Sequence, residues 1–231
     1  MTGVEQAAAR RARVPRPAAV IFDLDGTLVD TVGTRIDSWL EAFERFGYPA
    51  TRDQIAPLIG IDGRRLAGEV AQASGRPIDR DRAEEIDKAC GEIFGRRNRS
   101  PRPLPGVHEL GDTLDAAAIP WAIATSSRRE QVATSVGALG LQRQPTIVDG
   151  SHVERAKPEP DLLLLAAREL HTAPDMCWCV GDSTWDMRAA VAARMTPIAV
   201  TAGSAVSAET LLEAGAALVV GRLDELRAEL G

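Results

Sequence analysis

Short apolar runs alternate with amphipathic segments over most of the chain. After a first run that ends at Phe22, the others lie at 121–124, 145–150, 176–180, 196–203 and 216–220. From residue 105 onward, segments of about 10–15 residues with helical spacing separate these runs. This alternation is typical of parallel βαβ units in which helices cover both faces of a sheet. The pattern therefore predicts an α/β fold with a parallel sheet and right-handed crossovers.

Residues 31–104 interrupt this rhythm, because helical periodicity alone is found there. Apolar residues at helical spacing begin the segment, namely Ile36, Trp39, Leu40, Phe43 and Phe46. Three more helices are predicted, near 51–59, 63–74 and 79–97. A stretch rich in Pro and Arg, 96–106, then returns the chain to the alternating part.

This change of pattern predicts the domain organisation. Residues 18–30 and 105–231 form the core, and residues 31–104 form a helical cap inserted after the first strand. We expect two hinge strands, near 30–33 and 100–105, to let the cap open and to exclude water when it closes.

Composition excludes some classes of partner. The chain has 231 residues, 45% apolar and 26% charged, as in an ordinary globular protein. A net charge of −6 argues against nucleic acid, and no apolar run approaches the roughly 18 residues that span a bilayer. Residues 1–17 carry four arginines and no apolar signal region, which predicts a disordered basic tail and leaves a transit peptide as the alternative.

The cysteines indicate a reducing compartment. Cys90, Cys177 and Cys179 are too few, and odd in number, for a disulfide framework. Cys177 and Cys179 share one face of a predicted strand, where core packing is a better interpretation than zinc binding. We therefore expect a cytoplasmic protein, and the sequence leaves monomer and homodimer open.

Polar residues follow the predicted strands where ligands bind in open parallel sheets, beyond the carboxyl ends. Asp23 and Asp25 follow the first strand, Thr125 and Ser126 the second, and Asp182 a later one, with Asp186 one helical turn on. Two carboxylates on one side of a strand repel each other unless a cation lies between them. Each set has a purely structural interpretation as a turn or a helix cap, and Ser127 is itself predicted to be an N-cap.

Together these residues predict phosphoryl transfer. Asp23 is the candidate nucleophile and Asp25 the candidate acid and base. Asp23 and Asp182 supply the hard oxygen ligands that Mg²⁺ prefers. Lys157, one of only two lysines in a chain that otherwise uses arginine, and the Thr125 hydroxyl would hold the phosphoryl oxygens.

The stretches FDLDGTLVD, AIATSS, AKPEPD and VGDSTWDMRAA resemble the four ordered motifs of the haloacid dehalogenase-like (HAD) phosphohydrolase superfamily. The likeness is strongest to the branch of phosphoglycolate phosphatase and β-phosphoglucomutase, whose helical cap follows the first strand. It implies a Rossmann-like core and a Mg²⁺-dependent phosphatase for a small phosphorylated metabolite, acting through an aspartyl-phosphate intermediate.

The resemblance also implies a role for each motif residue. Asp23 is the nucleophile and Asp25 the acid and base, with the Asp25 main-chain carbonyl as a further Mg²⁺ ligand. Thr125, Ser126 and Lys157 bind the phosphoryl group. Asp182 ligates the metal and Asp186 supports it, so the implied metal set is Asp23, Asp25, Asp182 and Asp186.

The cap is harder to interpret. The resemblance places residues 58–70 in a substrate-specificity loop, in which Arg64 or Arg65 would meet a second anionic group of the substrate. The alternative is an exposed basic start of a helix. We predict that Arg128 and Arg129 face water, and that Trp185 packs in the core rather than forming a pocket wall.

Three other functions share parts of this pattern. A sugar-phosphate mutase has the same core residues and differs only in the cap. Phosphonate cleavage needs a cap lysine, for which Lys88 is the sole candidate. A non-catalytic receiver-like module also pairs acids with hydroxyls and a lysine, although it needs neither the cap nor Asp182 with Asp186.

Overall fold

The computed structural model describes residues 14–141 and 145–230, and for residue 130 it describes the backbone alone. In this part of the chain, six parallel strands form one sheet in the order β3-β2-β1-β4-β5-β6. The strands are β1 Ala19–Phe22, β2 Trp121–Ala124, β3 Thr146–Val148, β4 Cys177–Gly181, β5 Thr196–Val200 and β6 Leu218–Val220. The predicted α/β fold with a Rossmann-like parallel sheet is confirmed.

Helices cover both faces of this sheet. The core helices are α5 Val107–Ala116, α6 Arg129–Ala138, α7 Asp161–Glu169, α8 Thr184–Ala192 and α9 Ala208–Glu213, with short 3₁₀ turns at Pro174–Met176 and Leu223–Glu229. β1 alternates between the two faces, since Val20 and Phe22 join one apolar cluster and Ala19 and Ile21 the other. Every residue of β1 is therefore buried, which explains its unbroken apolar run.

The helices between β1 and the rest of the core pack around an apolar cluster of their own. They are α1 Val32–Arg45, α2 Arg52–Ile55, α3 Gly63–Ala73 and α4 Arg80–Arg97, with a 3₁₀ turn at Ala56–Leu58. Phe43 and Ile86 are fully buried in this cluster, and Trp185 of the core also joins it. The packing prediction for Trp185 is correct, because its indole Nε1 donates to the Pro57 carbonyl at 2.8 Å.

The two predicted hinge strands are wrong. Residues 29 and 103 form a single antiparallel bridge, and α1 already begins at Val32. Two hydrogen bonds flank this bridge, from the Asp30 N–H to the Arg102 carbonyl and from the Leu104 N–H to the Leu28 carbonyl, each at 2.9 Å. The cap is therefore joined to the core by two short paired segments.

The predicted basic tail lies mainly outside the described residues, which begin at Val14. Val14 is buried in the core, and the Pro15 carbonyl accepts a hydrogen bond from Trp178 Nε1 at 2.7 Å. Residues 14–17 are thus part of the folded core rather than of the tail. Among the described residues, no helix combines the length and the apolar character needed to cross a membrane.

Cys177 and Cys179 lie on the same face of β4, and all three cysteines are free and buried. The core-packing interpretation of this pair is correct.

Candidate active site

The sheet order brings the motif residues together. β1 lies between β2 and β4, so the residues that follow these three strands meet at one edge. Asp23 continues the ladder from β1, because its N–H donates to the Val180 carbonyl at 2.8 Å. Thr125 follows β2 on one side and Asp182 follows β4 on the other. This edge lies at the reversal of strand order, where open α/β sheets bind ligands.

Lys157 lies at the centre of a buried cluster of acids. Its Nζ is 2.5 Å from Asp23 Oδ1 and 2.7 Å from Asp186 Oδ1, and it donates to the Ala124 carbonyl at 2.8 Å. The lysine side chain is 0% exposed. Burial alone would lower the lysine pKa, but Asp186 and Asp23 outweigh it and raise that pKa. Lys157 is therefore held as a cation.

Negative charge nevertheless exceeds positive charge in this cluster. Burial, and then Asp186, raise the pKa of Asp23 to about 7, against the lowering effect of Lys157. Burial, Asp186 and Asp23 likewise raise the pKa of Asp182 well above its usual value. A divalent cation would relieve this excess, since it favours the ionised form of each carboxylate.

The donor set fits Mg²⁺. Carboxylate oxygens of Asp23, Asp182 and Asp186 all lie within 4.8 Å of one another. The approach of Asp182 to the loop after β1 requires Gly26, which has φ +86°, and a Cβ there would lie 2.3 Å from Asp182 Oδ2. Thr27 Oγ1 orients Asp182 by donating to its Oδ1 at 3.0 Å. Carboxylates gathered in this way are ligands typical of this hard cation.

Asp186 has contacts besides the acids. Its Oδ2 accepts from the N–H of Ser183 at 3.1 Å, in a capping box that begins α8, and its Oδ1 faces Lys157. The structure thus places Asp186 where it holds Lys157 and the start of α8, beside Asp23 and Asp182.

The Asp25 carboxylate does not join the cluster of the other three acids. Its oxygens accept from Thr31 Oγ1 at 2.6 Å, Ser127 Oγ at 2.8 Å and Arg35 Nη2 at 2.7 Å. Burial opposes ionisation of this carboxyl, but Arg35 and the two hydroxyls outweigh burial and lower its pKa. Asp25 is therefore an ionised acid two residues after Asp23, and its side chain contacts Thr31, Arg35 and Ser127.

Sequence reasoning missed Arg35. This residue lies on α1 of the cap, where its guanidinium packs 3.5 Å from the Phe94 ring centroid. Its Nη1 donates to Gln131 Oε1 of α6 at 2.9 Å, so Arg35 links the cap to a core helix as well as to Asp25. An arginine on the apolar side of α1, one residue before Ile36, was the only available signal.

The Ser127 prediction is wrong, because α6 begins at Arg129 with Arg128 as its N-cap. The Ser127 hydroxyl instead contacts Asp25 and Arg35 inside the site. Ser126 donates to the Gly60 carbonyl of the cap at 2.9 Å, and Thr125 Oγ1 accepts from the Ser127 N–H at 3.1 Å.

These residues line two adjoining spaces. A small cavity of about 60 Å³ is lined by Asp23, Asp25, Arg35 and Thr125, among others. A larger groove of about 640 Å³ lies outside it, between cap and core. Residues 63, 87, 126 and 131 line both spaces, so they form the junction between them.

Neither predicted cap arginine lines the small cavity. Arg64 donates to Asp62 at 2.8 Å and lines only the outer groove. Arg65 pairs with Glu69 at 2.8 Å and lies over the Trp185 ring. Each guanidinium therefore pairs with a carboxylate two to four residues away in the sequence. The sequence pattern alone could not show whether these arginines contact such a neighbour or the substrate.

Arg128 does not simply face water, contrary to prediction. Its Nη2 contacts Glu84 at 2.7 Å and Asp87 at 2.8 Å, both on α4 of the cap. Lys88, the candidate for phosphonate chemistry, is exposed on α4 and lines neither space.

Comparison with known proteins identifies the family. A model of the haloacid dehalogenase-like hydrolases matches residues 20–200. The chain belongs to this family. The match spans the four motifs that carry the resemblance and the helical insertion between them.

Named relatives extend this result. The chain is 32% identical over 185 residues to hexitol phosphatase A of Escherichia coli K12, covering 79% of this chain and 82% of the relative. It is 28% identical over 212 residues to a phosphorylated carbohydrates phosphatase of Thermotoga maritima, covering 87% and 93%. The crystal structure of a hydrolase from Pseudomonas syringae, 32% identical, superposes with a TM-score of 0.87 over 92% of this chain and 97% of that one.

Proposed function

We propose that the protein is a Mg²⁺-dependent phosphatase that hydrolyses a small phosphorylated carbohydrate through an aspartyl-phosphate on Asp23. The observation that carries the proposal is the buried cluster of Asp23, Asp182 and Asp186, in which Lys157 contacts Asp23 and Asp186 and Asp23 lines a small cavity. Membership of a hydrolase family and the phosphatase names of its relatives support the reaction class.

Each residue has a role in this reaction. Asp25, which is ionised before substrate binds, first takes the proton of the phosphomonoester monoanion. An Asp23 oxygen then attacks phosphorus and the bond from phosphorus to the ester oxygen breaks, while Asp25 gives that proton to the departing oxygen. Water then attacks the phosphorus of the aspartyl-phosphate, Asp25 takes its proton, and Asp23 and inorganic phosphate are released. Lys157 and the Thr125 hydroxyl hold the phosphoryl oxygens.

The metal site belongs to the same proposal. Asp23 and Asp182 would hold Mg²⁺ together with the main-chain carbonyl of Asp25, and Asp186 would position Lys157. When bound, the ion supplies positive charge that offsets the carboxylates and the phosphoryl group.

Relatives that act on carbohydrate phosphates support the substrate class. The free, buried cysteines agree with a cytoplasmic location, which stays a prediction, as does the choice between monomer and homodimer.

A mutase differs only in where the phosphoryl group goes: it transfers that group to a sugar hydroxyl, whereas the phosphatase releases inorganic phosphate. A receiver-like module would accept one phosphoryl group and would not release phosphate repeatedly.

The test is phosphate release from a hexitol phosphate with Mg²⁺. Wild type should release many equivalents of inorganic phosphate, and Asp23→Asn should release none while unfolding at the same urea concentration or higher. Asp53→Asn, an exposed acid on α2, is the matched control and should keep full activity. Acid quench followed by peptide mass spectrometry should find the phosphoryl group on Asp23.

Full activity of Asp23→Asn, or a phosphoryl group on another residue, would contradict the nucleophile assignment. Activity that survives excess chelator would contradict the metal requirement. A sugar phosphate isomer as the main product would favour the mutase.

A further inference from the structure

The junction between the small cavity and the outer groove is acidic. A phosphate ester at Asp23 whose organic part extends toward the outer groove would pass that part through this junction, which contains Gly63, Asp87, Ser126 and Gln131. Asp87 is the only ionisable residue common to both linings. The part of the substrate next to the phosphate would therefore meet a carboxylate.

Contacts with Arg128 and the absence of a side chain at Gly63 hold the Asp87 carboxylate in this position. It lies on α4 with its side chain 14% exposed, and Arg128 holds its Oδ2 at 2.8 Å. Its Oδ1 lies 1.9 Å from where a Cβ at residue 63 would be, so Gly63 leaves the space that this oxygen occupies. The carboxylate is thus held between α3 and α4, with one oxygen tied to a cation.

The outer groove supplies no net positive charge. Four arginines and four acids line it: Arg64, Arg80, Arg128 and Arg155 with Asp62, Glu84, Asp87 and Glu154. Three of these arginines contact carboxylates at 3.1 Å or less, Arg64 with Asp62, Arg128 with Glu84 and Asp87, and Arg155 with Asp161. A second anionic group on a substrate would have to bind Arg80 or displace one of these partners.

We propose that Asp87 determines substrate specificity by accepting a hydrogen bond from a hydroxyl of the substrate and by repelling a second anionic group. The inference rests on the proposed function and narrows it. The preferred substrates are phosphomonoesters of uncharged polyols or sugars, and carboxylated phosphomonoesters are disfavoured. Hydroxyl groups suit the junction because a carboxylate accepts from them, as do the oxygens of Ser126 and Gln131.

Matched substrate pairs test this directly. Glycerol 3-phosphate and 3-phosphoglycerate differ only in a terminal CH₂OH against a carboxylate, and glucitol 6-phosphate and 6-phosphogluconate differ in the same way over six carbons. Wild type should prefer the polyol member of at least one pair by about tenfold or more in kcat/KM. Asp87→Asn should reduce that preference about tenfold, chiefly by lowering KM for the carboxylated substrate.

The matched control is Glu84→Gln. Glu84 lies one turn earlier on α4 and contacts the same arginine, but it lines only the outer groove. This variant should keep the wild-type preference within about threefold. Asp87→Glu, which keeps the charge, should still exclude the carboxylated substrates. An unchanged preference in Asp87→Asn, or an equal change in Glu84→Gln, would overturn the proposal.

Two further measurements separate this inference from the proposed function. p-Nitrophenyl phosphate has neither a hydroxyl nor a carboxylate, so its hydrolysis by wild type tests the phosphatase activity alone. Calorimetric titration of the substrate pairs into Asp23→Asn reports binding without turnover. The inference is supported if Asp23→Asn binds the carboxylated member about tenfold more weakly and if this difference disappears when Asp87→Asn is added. This holds even if no ester is hydrolysed. Equal binding of both members refutes it.

Discussion

Replacing Lys157 by Met tests whether the lysine compensates the buried acids. Its Nζ lies 2.5 Å from Asp23 and 2.7 Å from Asp186, and the side chain is completely buried. Met keeps an unbranched chain of similar length, so the change removes the charge and leaves most of the packing. Asp23 and Asp186 would then remain buried without their cation.

The magnitude follows from the burial of the pair. Removing one partner of a buried ion pair typically destabilises a protein by about 3–5 kcal/mol, because the other charge stays uncompensated. Here one lysine contacts two carboxylates, which favours the upper part of that range. With a urea m-value of about 1–3 kcal/mol/M, the midpoint of unfolding should fall by more than about 1 M.

The assay is urea unfolding followed by tryptophan fluorescence at pH 7 with chelator present. Lys88→Met is the matched control, since Lys88 is the only other lysine and is exposed. That variant should change the free energy of unfolding by no more than about 0.5 kcal/mol. Adding Asp23→Asn to Lys157→Met should recover part of the lost stability, because it removes one uncompensated charge.

A loss for Lys157→Met as small as that for Lys88→Met would refute this reasoning. So would a double variant that is less stable than Lys157→Met alone.

The remaining predictions concern two other buried charges. Arg35→Met should lower kcat about tenfold or more, because Asp25 loses the cation that orients it, whereas Arg97→Met, which breaks an exposed pair with Glu41, should leave kcat unchanged. Burial raises the pKa of Asp87 to about 6, against the lowering effect of Arg128. The pKa of Asp87 is higher in the folded than in the unfolded protein, so raising the pH from 4 to 6 should lower the free energy of unfolding of wild type by up to about 3 kcal/mol. Urea unfolding should show that Asp87→Asn does not lose this stability. An identical pH dependence in the two proteins, or an unchanged kcat for Arg35→Met, would contradict these expectations. The other charged groups that face Asp87 are Asp62 of the α3 N-cap, Glu84 of α4 and Arg35 of α1.

Periodicity was sufficient to predict the sheet and the helices of the cap. Fully buried strands produce unbroken apolar runs, and α1 and α3 show apolar residues at the spacing of one helical face. The hinge strands were mispredicted because the pattern along the chain does not show that α1 begins three residues after the bridge at Val29. The same limitation applies to Ser127, since an N-cap and an active-site hydroxyl have the same local sequence.

The sequence alone determined which acids and which lysine meet, because parallel strands place their carboxyl ends at one edge of the sheet. Asp23, Asp182 and Lys157 follow from that rule together with the motif order. Only the tertiary structure decided how the cap meets the core: that Arg35 reaches Asp25, that Arg64 pairs with Asp62, and that Asp87 faces the junction. These contacts join separate helices and loops through side-chain geometry, which no periodicity along the chain encodes.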